Sequence, residues 1–122
     1  MLYNVNPNDL DEVARSRGMR CERPAPNELF VDIDSAEQLV RFDRAIVALK
    51  TVHPECTYTH AGSKTPGHYH VRVTMPHNVT PLERVAYQAR LGSDPKREAL
   101  ALLRNRKGVR GEDLSVFFER KE

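Results

Sequence analysis

The sequence predicts an α+β fold, a single βαββαβ sheet of the ferredoxin-like or RNA-recognition (RRM-like) type with helices on one face and a short N-terminal helix. Three observations carry that reading. Residues 28–33, Glu-Leu-Phe-Val-Asp-Ile, form a largely apolar run of strand length, as a central strand requires. Residues 68–75, His-Tyr-His-Val-Arg-Val-Thr-Met, alternate with period two. Ser35 with Gln38, and Thr80 with Glu83, read as capping boxes that open a helix after each of these strands. The chain has 122 residues, enough for one core, and 39% hydrophobic with 30% charged residues is the balance of a globular domain.

The elements follow in order. Residues 8–17 suit a short helix, with Asn8 as cap, acids early, Arg15 and Arg17 late, and Gly18 behind. Residues 22–27 carry two prolines and read as a connector, so 1–27 is expected to be helix plus connector and 28–122 the core. The helix after Ser35 has Leu39, Phe42, Ile46 and Leu49 on one face, joined by Val40 and Val47, and ends at His53-Pro54. Residues 56–60 are β-rich, and 61–67 form a turn-prone loop. The strand over 68–75 then splits into two faces: His68, His70, Arg72 and Thr74 on one, Tyr69, Val71, Val73 and Met75 on the other. A helix from Pro81 runs to about Leu91, where Gly92 breaks it. Asp94-Pro95 restarts a helix to about Lys107, and 114–118 supplies the last strand.

Composition narrows the function classes. No apolar run approaches the roughly 20 residues of a membrane span. The first residues carry acids where a signal peptide is basic and then apolar, so a cytoplasmic protein is expected. Cys21 and Cys56 lack metal-site spacing and read as free thiols. Net charge is only +2, but eight basic residues lie between Glu83 and Arg110 against three acids, Glu83, Asp94 and Glu98. Such a segment either holds a polyanion, with Arg97, Arg106 and Lys107 as nucleic-acid contacts, or is a solvated helix face.

Three constellations suggest chemistry. Asp32 and Asp34, two apart at a strand end, offer hard oxygen donors of the kind Mg²⁺ or Mn²⁺ prefers; they equally suit the N-terminus of the helix that Ser35 caps. Ser63 and Lys64, in a loop bounded by Gly62 and Gly67, can present backbone N–H groups and a positive charge to phosphate, with His70 on the next strand as a further donor. Asp94 is a good N-cap before Pro95 and an acid that can complete a carboxylate trio.

In this order the residues resemble the archaeo-eukaryotic primase and primase-polymerase superfamily: Asp32-Ile33-Asp34, then Ser63-Lys64 with His70-Val71-Arg72-Val73, then a later Asp, over roughly residues 30–104. The resemblance implies a minimal nucleotidyltransferase core of the phage, plasmid or end-joining type, acting in DNA replication or repair. It implies Asp32, Asp34 and Asp94 as catalytic metal ligands for two Mg²⁺ or Mn²⁺ ions. Ser63, Lys64 and His70 would contact the nucleoside triphosphate, with Arg104 a further phosphate contact. Partners would be a DNA template or primer and a helicase or other replication protein. The chain departs from the family in its short length, in Thr65-Pro66 within the second motif, and in placing the third acid at a helix start.

Two other readings use the same residues. His68-Tyr69-His70 matches the histidine pair of rolling-circle and relaxase endonucleases, with Tyr87 as the candidate nucleophile, but leaves both aspartates idle. A non-catalytic RNA-recognition module would stack bases on strand aromatics, and here that strand carries histidines instead.

Overall fold

The computed structural model describes residues 9–62 and 67–120. Among them are helix α1 (Leu10–Ser16), strands β1 (Met19–Glu22) and β2 (Glu28–Ile33), helix α2 (Ala36–Val52), strands β3 (Thr57–Gly62) and β4 (Tyr69–Thr74), helices α3 (Pro81–Arg90) and α4 (Pro95–Arg106), and strand β5 (Phe117–Arg120). The class is α+β, as the sequence predicts. β2, β4 and β3 form one antiparallel sheet in that order, and β1 pairs antiparallel with β5 in a second.

The helix starts follow their caps. Thr80 and Glu83 complete a reciprocal capping box on α3, which holds the Glu83 carboxyl below its ordinary range. Ser35 Oγ accepts from Gln38 N–H at 3.2 Å. The Gln38 side chain, however, reaches back to the N–H of Asp34 (2.6 Å) rather than to that of Ser35. Asn8, expected to cap α1, lies outside the described residues; Asp9 occupies the cap position without a side-chain bond.

The main core lies between α2 and one face of the larger sheet. Leu29, Val31, Ile33, Val71, Val73 and Met75 meet Phe42 and Ile46, with Leu39, Leu49, Tyr69 and Tyr87 packed at the margin. Val40 and Val47 do not join this face: they are 50% and 65% exposed, because their positions on the helix circle turn them outward. Cys56 is buried in this core, Cys21 is half-buried, and both are free thiols.

The last strand departs from the expected single sheet. It begins at Phe117 rather than Leu114, and it pairs with β1, a strand lying in the segment read as helix and connector. The reason is the outer edge of β2, where a fourth strand would pair. Side chains and one loop amide already occupy its backbone groups. Arg84 Nε donates to Glu28 O (2.8 Å), Gln88 Oε1 accepts from Phe30 N–H (2.8 Å), and Arg97 Nη1 donates to Phe30 O (2.7 Å). Ser93 Oγ accepts from Asp32 N–H (3.0 Å), and Asp94 N–H donates to Asp32 O (2.8 Å). With those donors and acceptors satisfied, β5 crosses to the open face of the sheet. There the Phe117 ring lies parallel to Phe30 and His70, with centroids 4.4 and 4.0 Å away. The helices are therefore not confined to one face: α2 covers one, while α3 and α4 flank the β2 edge.

Candidate metal centre

The acids of the expected trio meet. Asp32 is the penultimate residue of β2 and points to the face opposite the core; Asp34 follows just beyond the strand. Asp94 comes from the turn between α3 and α4, about sixty residues later in the sequence. Each of the three carboxylates offers an oxygen within 4.8 Å of the others. The turn that delivers Asp94 depends on Gly92, whose φ of +86° disfavours a side chain. A Cβ there would also lie 3.1 Å from Gln38 O and from Arg41 Cβ. Ser93, almost fully buried, then ties the turn to β2 through the Asp32 N–H.

Asp94 is both a helix cap and a member of the trio: Oδ1 accepts from Lys96 N–H at 3.1 Å, and one carboxylate oxygen lies within 4.8 Å of those of Asp32 and Asp34. The two roles read as alternatives in the sequence are compatible.

The site is charge-strained. Burial pushes the Asp32 carboxyl up to about 6, opposed by the Arg97 guanidinium and reinforced by the Asp34 charge. Asp94 is raised as well, through burial and the adjacent Asp34, against the Lys96 N–H that stabilises its anion. Crowded, partly desolvated carboxylates that repel one another are relieved by a divalent cation, and an all-carboxylate oxygen set suits Mg²⁺ or Mn²⁺ rather than a soft metal. The residues present fit such ions.

The histidines divide between the acids. His68 Nδ1 lies 2.9 Å from Asp34 Oδ1. His70 sits opposite Asp32 across the β2–β4 pair, with Nε2 4.0 Å from Asp32 Oδ1. Its Nδ1 is 3.2 Å from a Glu119 carboxylate oxygen, and Glu119 also accepts from Arg72. An ionised carboxylate only accepts, so Nδ1 carries the hydrogen there and Nε2 faces the site. Glu119 and Ser93 had no motif to flag them; their parts are visible only once β5 and the α3–α4 turn are placed.

A cleft of about 350 Å³ opens beside the acids, lined by Asp32, His70 and Asp94 at one end and by Lys96, Arg104 and Phe118 farther along. Arg104 is 3% exposed, donates through Nη2 to Asp113 O, and keeps a buried Nε without a hydrogen-bond partner. Arg97 has another task than surface contact. Its guanidinium bonds Phe30 O and Glu98 and lies over the Phe117 ring. Arg106 and Lys107 are exposed at the far end of α4, roughly 18 Å from Asp94 at 1.5 Å per residue. Ser63 and Lys64 lie outside the described residues. Tyr87 packs beside the α2 core, on the other side of the sheet from the histidine pair. The aromatic rings of the open face stack on one another, which leaves them poorly placed to stack bases.

Comparison of the chain with protein-family models, with curated proteins and with solved structures returned no match.

Proposed function

We propose that this chain is a minimal nucleotidyltransferase domain of the primase-polymerase type, acting on a nucleoside triphosphate and a DNA template or primer in phage- or plasmid-type replication or repair. The observation that carries the reading is the meeting of Asp94 with Asp32 and Asp34 next to a cleft with basic side chains. Asp32, Asp34 and Asp94 would hold the divalent ions. Bound there, Mg²⁺ or Mn²⁺ supplies charge stabilisation to the attacking and leaving oxygens of an in-line phosphoryl displacement.

The chain's own groups divide the remaining work. His70, held by Glu119, directs Nε2 toward the ligand as a hydrogen-bond donor or acceptor. Lys96 and Arg104 offset phosphate charge in the cleft, and the loop carrying Ser63 and Lys64 is the expected triphosphate contact. Burial of Asp32 keeps the carboxylates poorly hydrated, which strengthens their hold on a cation.

The test is extension of a fluorescent primer on a DNA template with Mn²⁺ or Mg²⁺ and all four nucleotides. Wild-type protein is expected to extend the primer, and the Asp32→Ala/Asp34→Ala double variant to lose extension by at least about a hundredfold, the scale of removing essential charge stabilisation. Undiminished extension by that variant would refute the reading. A covalent adduct between Tyr87 and a DNA 5′-phosphate would instead support the relaxase-type alternative.

A further inference from the structure

Three of the arginines in the basic run are taken up inside the fold: Arg84 and Arg104 are buried, and Arg97 is bonded to backbone. Another basic surface lies between α2 and α3, reaching the turn that carries Asp94 but sharing no lining residue with the carboxylate cleft. An open groove of about 610 Å³ lies there, with Arg41 and Arg44 from α2 and Arg90 from the end of α3 along it. None of its lining residues is acidic. Arg44 and Arg90 make no hydrogen bond or ion pair among the described residues, and Arg41 has only a highly exposed pair with Glu37 at 3.0 Å. The floor includes Tyr87, Leu49 and Ala48, so the groove combines a half-buried aromatic side chain with its three arginines.

We infer that this groove is a binding surface for single-stranded nucleic acid, separate from the carboxylate site. Two unpaired arginines, with Arg41 in an exposed and easily exchanged pair, beside an aromatic and aliphatic floor reproduce the combination that holds a single strand: guanidinium groups on successive phosphates, and planar surface for the bases. A duplex would keep its bases away from that floor. An acidic amphipathic peptide is the competing occupant. The alanine-lined floor is the weaker match to it, because it provides no deep pocket for an anchoring side chain. The inference goes beyond the nucleotidyltransferase reading and requires no metal.

The experiment is fluorescence anisotropy of a labelled oligothymidylate titrated with the full chain in EDTA, where the carboxylate site holds no cation. Three phosphate contacts predict a log–log salt slope of about −2 for the wild type, at roughly −0.7 per contact. Arg44→Ala/Arg90→Ala is expected to weaken binding at least tenfold at low salt and to bring the slope to about −0.7. Both side chains are exposed, so the variant is expected to fold, which circular dichroism checks. An Arg17→Ala control, an exposed cation at the end of α1 that lines neither cavity, is expected to bind as the wild type does. The inference is overturned if the wild type does not bind the oligonucleotide, or if the double variant binds it with unchanged affinity and slope. It is also overturned if a glutamate-rich amphipathic peptide binds in an Arg44- and Arg90-dependent way while the oligonucleotide does not. Failure of primer extension leaves these outcomes unaffected, so the two readings fail separately.

Discussion

The two faces of the β2–β4–β3 sheet are built from alternate residues of the same strands, yet they are buried by different means. Toward α2, Leu29, Val31, Ile33, Val71 and Val73 close on Phe42 and Ile46 in an apolar core. On the other face the alternating positions are Phe30, Asp32, His70 and Arg72, covered by the Phe117 ring and the Glu119 carboxylate from β5. The first face lowers the free energy of the fold by removing hydrocarbon from water. The second places a carboxylate where burial disfavours its charge, next to two more acids. A fold that tolerates such an arrangement on one face depends on the other for stability, the pattern expected of a functional site on a rigid scaffold.

Substitutions on either face sharpen this contrast. The largest expected effect is Phe42→Ala, which empties the centre of the apolar core and is expected to cost about 3–5 kcal/mol in urea denaturation. A loss under about 1 kcal/mol would place the main stabilising packing elsewhere.

Asp32→Asn is expected to act in the opposite direction. The folded state holds the Asp32 proton up to a pH of about 6, the unfolded chain only up to its ordinary 3.8. The folded-state value is thus raised, so the stability this group provides is complete below pH about 4 and is lost as pH rises through about 6. At pH 7.5, without divalent ions, the asparagine variant is expected to be about 2–3 kcal/mol more stable than the wild type, and the gain disappears near pH 4. Stability measured across that range checks it; an unchanged or lower stability at pH 7.5 would mean that Arg97 and His70 already compensate the charge.

Ser93→Ala is expected to have the smallest effect. It removes the acceptor of the Asp32 N–H and should cost about 1–2 kcal/mol by denaturation. If stability is unchanged, Ser93 does not anchor the turn that carries Asp94.

Much of the scaffold was legible because local signals and tertiary packing agree. The alternation over 68–75 put Val71, Val73 and Met75 in the core, and the Thr80–Glu83 box opened α3 at Pro81. The trio of acids was legible as a juxtaposition, since a strand end and a helix cap are places where topology brings carboxylates together. The course of β5 was not. Its pairing with β1 depends on side chains of α3 and α4 occupying the β2 edge, a long-range competition that leaves no periodicity in residues 114–120. For the same reason Glu119 could not be connected to His70 in advance. The basic run from Arg84 to Arg110 overstates the exposed charge, because charge counting cannot tell a solvated guanidinium from one bonded to backbone, as in Arg84 and Arg97.

The central claim is that the polar face is a divalent-metal site made by Asp32, Asp34 and Asp94. Its most direct test is a crystal soaked with Mn²⁺ and a nucleoside triphosphate, with anomalous scattering locating the metal. The account predicts Mn²⁺ bound by oxygens of all three aspartates, with the triphosphate alongside. Mn²⁺ coordinated by His68 and His70 instead, or no metal among the three carboxylates, would contradict it.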